Sequence, residues 1–213
     1  MTVLLIQNSY HANASTRQLI TNSTPEEHIM MYDKEFWDRY ASENEARYNE
    51  EFAKFTRDLA SSLHCNSVLE IGCGTGIDLR LFPESTEMYG VDLNDLALRT
   101  AKEKLPHVDF RKGSIADLPF KDSSVDFVFT HQLLNYLEDD VLDKGTSEMY
   151  RVARKYIMNC EVFAESEKKI NENAKFRNMY NRWLGYKVKI VSNVDMHEEI
   201  EHDRARFTLI KKL

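Results

Sequence analysis

Residues 68–78 read VLEIGCGTGID, and three of the chain's seven glycines fall within five of those positions. A glycine inside a regular element costs up to about 1 kcal/mol of backbone entropy, so such clustering needs a reason. Gly72, Gly74 and Gly76 let the backbone turn through positive φ and let a ligand approach with no Cβ in the way. Cys73 between them contributes backbone. A helix expected to begin near Ile77 would add unpaired amides and a partial positive charge, which suit a carboxylate or phosphate. Sixteen residues after Gly76, the stretch YGVDLND places Asp92 where a second strand should end. A carboxylate there can accept hydrogen bonds from both hydroxyls of a ribose. Two further groups stand at the ends of later strands. Ser114 lies in RKGSIAD, and His131 follows Thr130 in VFTHQ. A histidine whose ordinary pKa lies near neutrality can serve as a general base or simply wall a pocket.

These residues need a scaffold that brings strand ends together. Short apolar runs at Val68–Ile71, Met88–Leu93, Val108–Phe110, Val125–Phe129 and Tyr156–Val162 alternate with stretches that suit helices, such as Asp95–Leu105 and Leu142–Ala153. That alternation predicts parallel strands joined by crossovers, hence a three-layer α/β sheet. The last two runs, Lys187–Val194 and Arg206–Lys212, are joined by an acidic bend too short for a crossover helix. They are expected to form an antiparallel hairpin at one edge. Before the glycine cluster, the pattern from Asp33 to Leu63 is largely helical, with Phe36, Trp37 and Tyr40 on one face. Residues 1–35 read as an N-terminal arm, with a helix start at STPEE (residues 23–27), and residues 36–213 as the main domain. Five of the seven glycines (72, 74, 76, 90 and 113) then fall at or beside the carboxyl ends of the first three strands, where open α/β sheets bind ligands.

Composition narrows the possibilities. At 213 residues, 42% hydrophobic and 30% charged, the chain suits one soluble globular domain. Its net charge of −7 disfavours a surface that follows a nucleic acid backbone. The early apolar run Val3–Ile6 is too short for a signal peptide core or a membrane span. Cys65, Cys73 and Cys160 include no CxxC pair, so neither a zinc site nor a disulfide framework is expected. Reduced thiols in a cytoplasmic protein are the simpler reading, and no metal is expected.

The motifs VLEIGCGTG, YGVDLN, GSIADLPF and SSVDFVFTHQLLNYL together resemble the class I S-adenosylmethionine-dependent methyltransferases, over about residues 36 to 213. The resemblance implies a Rossmann-like sandwich on a mostly parallel seven-stranded sheet with a C-terminal antiparallel hairpin, and S-adenosylmethionine as cofactor. It implies that Gly72, Cys73, Gly74 and Gly76 cradle the methionine part of the cofactor and that Glu70 holds its ammonium. Asp92 would grip the ribose, Leu93 would pack on the adenine face, and Ser114 and Ile115 would flank the adenine. Thr130 and His131 would face the transferred methyl, with Tyr40 and Trp37 closing over the cofactor as a lid. Much of the superfamily has an acid where Ser114 stands, which weakens that assignment. Within the superfamily, FWDRYA, GSI and VFTHQLLNYL are similar to the methylases associated with pseudaminic acid biosynthesis.

The acceptor is less legible. Residues 164–189 carry seven Lys and Arg against three acids, interleaved with Phe176, Tyr180, Trp183 and Tyr186. This local reversal of charge suggests a small anionic acceptor such as a sugar acid. A basic helix face that is merely solvated explains it equally well. Two rival functions remain. A nicotinamide oxidoreductase would want a third glycine where Ile77 stands. A non-catalytic cofactor-binding module would keep the same loop.

Overall fold

The structure is a computed structural model that describes residues 32–201 and 204–213. Most of the arm expected over residues 1–35, including the helix start at 23–27, lies outside the described residues. In chain order the strands are β1 (Ser67–Ile71), β2 (Glu87–Asp92), β3 (Asp109–Lys112), β4 (Val125–His131), β5 (Ala153–Val162), β6 (Lys169–Asn171), β7 (Ala174–Lys175), β8 (Val188–Asp195) and β9 (Ala205–Lys212). The helices are α1 (Lys34–Ser42), α2 (Glu50–Ser62), α3 (Asp95–Lys104), α4 (Asp139–Val152) and the short α5 (Met179–Trp183). Seven strands form one sheet in the order β3-β2-β1-β4-β5-β9-β8. The first five run parallel, and β9 pairs antiparallel with both β5 and β8. The expected sandwich and edge hairpin are therefore present.

Side-chain alternation along the strands splits the core into two layers. Val68, Phe127, Phe129 and Met158 pack on one face with Phe52 and Ala60 of α2 and Leu98 and Ala101 of α3. Their strand neighbours Leu69, Val128 and Ile157 pack on the other with Leu142 and Met149 of α4 and Trp183 of α5. Each such side chain contributes roughly 1.5–3 kcal/mol on burial. Helix starts are set locally: Asp33, Asn49 and Asn94 accept from the backbone amides of Phe36, Phe52 and Ala97, respectively. Each thereby satisfies an otherwise unpaired first-turn amide.

Two expectations need correcting. No helix follows the glycine cluster; residues Ile77–Leu79 make a single 3-10 turn. From there the chain must travel back and begin β2 at Glu87, with Pro83 in the way. Ten residues cannot hold both a helix and the return. The second correction concerns the basic segment, whose arginines are not free to meet an acceptor. Arg177 is buried; its Nε donates to the Leu134 carbonyl (2.9 Å) and Nη2 donates to the Leu137 carbonyl. Nη1 reaches Asp139 (2.7 Å) and Glu167 (3.2 Å). Arg182 is paired with Glu167 and Asp143. These arginines fasten the β6–β7 hairpin and α5 to the turn that follows β4.

Leaving a buried acceptor without its donor costs roughly 1–3 kcal/mol. Arg177→Ala strands the Leu134 and Leu137 carbonyls and should lose roughly 2–5 kcal/mol in urea unfolding. A loss below about 1 kcal/mol, the range of surface pairs, would show that the arginine does not hold the turn.

Candidate active site

The carboxyl ends of β1, β2 and β4 meet in one crevice. Parallel register sets Ile71 opposite Val91 on one side and opposite Thr130 on the other. Asp92 therefore lies one residue beyond the β1 pairing, beside the glycine loop. Gly72, Gly74 and Gly76 all have positive φ, at 74°, 51° and 74°. A Cβ on Gly72 would also stand 2.8 Å from the Leu133 side chain, so the loop closes only with glycine there.

The loop's amides are not bare. Gly72 and Cys73 both donate to the Val91 carbonyl (2.7 and 3.1 Å), Gly74 donates to Asp92 Oδ2 (2.8 Å), and Gly76 donates to the Cys73 carbonyl (2.8 Å). What the loop offers a ligand is open backbone flanked by two carboxyl groups. Glu70 is 3% exposed and its Oε2 has no hydrogen-bond partner. Burial raises its pKa well above the usual carboxylate range, and the neighbouring Asp78 carboxylate adds to the effect. Asp92 is raised less, because burial is opposed by the amides of Asn94 and Gly74 that donate to it. The Cys73 thiol is buried and pushed far up by desolvation, which makes it a neutral packing group. A buried carboxyl oxygen without a donor and a loop with glycine at 72, 74 and 76 fit the amino acid end of S-adenosylmethionine. Asp92, whose two oxygens each keep acceptor capacity, fits a ribose.

A roof spans this crevice. Asn94, just after β2, donates from Nδ2 to Asp38 of α1 (2.8 Å). On the far side, Trp37 of α1 packs edge-on against Tyr136 in the turn after β4, at 5.4 Å between ring centroids. Since β1 lies between β2 and β4 in the sheet, α1 crosses above the glycine loop. Tyr40 packs on Trp37 (5.5 Å) beneath the Arg47 guanidinium (4.1 Å). The indole Nε1 of Trp37 is buried without a partner.

Several expected side chains point elsewhere. Thr130 is fully buried; its hydroxyl donates to Glu161 (2.8 Å) and accepts from Asn159 (2.9 Å), so it faces the interior. Ile115 packs its side chain on Gly145 of α4 and belongs to the core. Any contact it makes with an adenine must come from its backbone. Ser114 Oγ already accepts from the Ala116 amide (3.1 Å). Leu93 is half-buried beside Asp92, an orientation open to either packing role.

His131 is the largest departure. Its Nδ1 is 2.7 Å from Asp78 and its Nε2 is 2.8 Å from Glu201, while the ring stacks on Phe52 at 3.6 Å. Burial alone would lower its pKa, but the two carboxylates outweigh that and raise it to about 10. The group is an imidazolium donating from both nitrogens, with no lone pair left for a general base. Asp78, Glu201 and Glu161 were missed in the sequence. Asp78 lay within the opening motif, but nothing marked it as a partner of a strand 53 residues away. Glu201 arrives from the connection between β8 and β9, and no local pattern signals that.

Known proteins share part of this chain. Residues 68–156 match the family model described as a methyltransferase domain. Over that span the chain is similar to methyltransferase domains. A probable S-adenosylmethionine-dependent methyltransferase of Mycolicibacterium smegmatis is 35% identical over 88 residues, which cover 41% of this chain and 34% of the relative. A phosphatidylethanolamine N-methyltransferase of Cereibacter sphaeroides is 32% identical over 94 residues, covering 41% of this chain and 45% of the relative. The chain spans about a third of the length of the first curated relatives it matches. The methyltransferase fold recurs in solved structures. The phosphoethanolamine N-methyltransferase 1 of Haemonchus contortus, solved with phosphoethanolamine and S-adenosylhomocysteine, superposes with TM-score 0.67 at 22% identity, over 84% of this chain and 48% of that one. A methyltransferase from Aquifex aeolicus gives 0.58 at 17% identity, over 84% and 98%.

The His131 pairs make stability depend on pH. The folded pKa of His131 lies above its unfolded value, so its charged pairs stabilise fully below about pH 6.5 and that stabilisation is lost as pH rises through about 10. His131→Asn should melt several degrees lower at pH 7, with the gap to the parent narrowing as pH approaches 10. A gap independent of pH, in melting curves taken across that range, would mean His131 is uncharged.

Proposed function

We propose that this chain is an S-adenosylmethionine-dependent methyltransferase acting on a small-molecule acceptor and leaving S-adenosylhomocysteine. The observation that carries the reading is the pairing, at adjacent strand ends, of Glu70 with its bare Oε2 and Asp92 beside a loop with glycine at 72, 74 and 76. The cofactor, when bound, supplies a methyl group on a sulfonium that leaves readily. In this reading Glu70 receives the cofactor's amino group, Asp92 its ribose hydroxyls and Leu93 a face of its adenine. The glycine loop gives its methionine chain room, and Trp37 and Tyr40 close the crevice from above. Excluding water under that roof strengthens the contacts of both carboxyl groups. Because His131 is already protonated and clamped, it acts on the site as a fixed charge. Alignment of acceptor and donor then supplies most of the acceleration, and well-oriented reactants can gain several kcal/mol from positioning alone. All three cysteines are free and buried, which fits a reducing compartment.

Apart from the motifs similar to pseudaminic acid methylases, the finer reading of an anionic, sugar-acid-like acceptor rested on the basic segment 164–189. Its two arginines nearest the turn after β4 are ion-paired within the protein, so acceptor class rests on assay. A cofactor-turnover screen against sugar acids, nucleotide-sugars and small amines tests the activity; no turnover on any of them, with S-adenosylhomocysteine bound, would favour a binding module.

Charge-assisted hydrogen bonds are worth roughly 1.5–3 kcal/mol each. Asp92→Ala should therefore weaken S-adenosylhomocysteine binding at least tenfold in calorimetry. Asp92→Asn keeps the shape and one acceptor oxygen but sets its NH2 against the Gly74 or Asn94 amide, and should lose an intermediate amount. Equal affinity in all three proteins would remove Asp92 from the site.

A further inference from the structure

Glu70 sits in an electrostatic setting that the proposed function leaves unexplained. It is almost fully buried, and one carboxyl oxygen has no donor from the protein. An ionised carboxylate in that position would bear the full cost of desolvation. The charged and titratable groups around it do not relieve this. Asp78 and Asp92 are carboxylates that oppose its ionisation, and the Cys73 thiol behind it is neutral. His131 is the one cation that acts on it, but both its N–H groups are turned away, to Asp78 and to Glu201. Glu161, beyond His131, is tied to Thr130 and to the Leu134 amide.

We propose, resting on the cofactor reading above, that binding of the ligand's cationic amino group is coupled to the release of one proton from Glu70. Without ligand, Glu70 is the neutral acid. An ammonium group brought against its bare oxygen supplies both the missing donor and the opposite charge. Glu70 then ionises and forms a charge-assisted pair, and its proton passes to the solvent. The ammonium keeps all its protons, so the exchange is one proton out for each ligand in. Asp78, His131 and Glu201 act as positioning residues in this step. Asp78, paired with His131 and hydrogen-bonded to Glu70, favours the acid form of Glu70 until a ligand cation arrives. Gln132 also donates to Glu201 (3.1 Å).

The coupling is read by calorimetry of S-adenosylhomocysteine binding to the full chain at pH 7, in phosphate and in Tris. The two buffers differ widely in ionisation enthalpy, so the difference in observed heat counts protons. About one proton should be released per ligand, and the Kd should tighten by up to tenfold per pH unit on the acidic side of the Glu70 titration. Glu70→Gln should bind more weakly, release no proton and show a flat pH dependence. Methylthioadenosine, which lacks the amino acid tail, should bind the unaltered protein without proton release, a control that needs no variant. Binding of S-adenosylhomocysteine with no buffer dependence would overturn the proposal, as would equal proton release from Glu70→Gln or with methylthioadenosine. Failure of S-adenosylhomocysteine to bind at all would instead overturn the cofactor reading, and the coupling with it.

Discussion

Strands β1 and β2 run parallel and adjacent, and residues 72–86 connect them with a single 3-10 turn where a parallel crossover usually carries an α-helix. Here the chain must reverse at once, and the three left-handed glycines are how it does so. The tightness of that reversal turns the loop amides of residues 72, 73 and 74 back onto Val91 and Asp92. It also brings Asp78 within reach of His131 on the opposite strand. Both the shape of the crevice and the placement of its charges follow from this short connection.

Those charges are unusually interior for a small domain. Glu70, Asp78, Glu161 and Glu201 are all buried, with His131 among them. Burial raises Glu161 to about 7, even though the Thr130 hydroxyl and backbone amides favour its ionised form. Buried ion pairs seldom add net stability, since desolvation offsets much of their attraction. A cluster of this kind is better understood as stability given up for a site of defined charge. The aromatic roof made by α1 ties the ends of β2 and β4 together.

Much of this was legible in the sequence. The strand periodicity, the glycine cluster, Asp92 and the antiparallel hairpin each carry a local pattern, and each element appears with its boundaries shifted by no more than about three residues. The failures share a cause. The helix expected at Ile77 was judged from residue types, whereas the length of chain available decided against it. Thr130 and Ile115 stand at the right strand ends, but which way a side chain turns depends on partners far along the chain, Asn159 and Gly145. His131 read as a base or a pocket wall because an ordinary histidine titrates near neutrality, while its neighbours in space are acids that hold it protonated. The basic run at 164–189 looked like a surface until Arg177 proved to be a strut.

The indole of Trp183 donates to Asn159 at 2.8 Å, and Asn159 in turn donates to Thr130 at the end of β4. Through two side chains, the small insertion of β6, β7 and α5 is moored to a central strand of the sheet. Its outer rim, where Ile170 and Leu184 lie exposed, can therefore vary in sequence without the inner anchor shifting. Related chains can diversify that rim as a replaceable fitting, while the strand ends beneath it keep their positions.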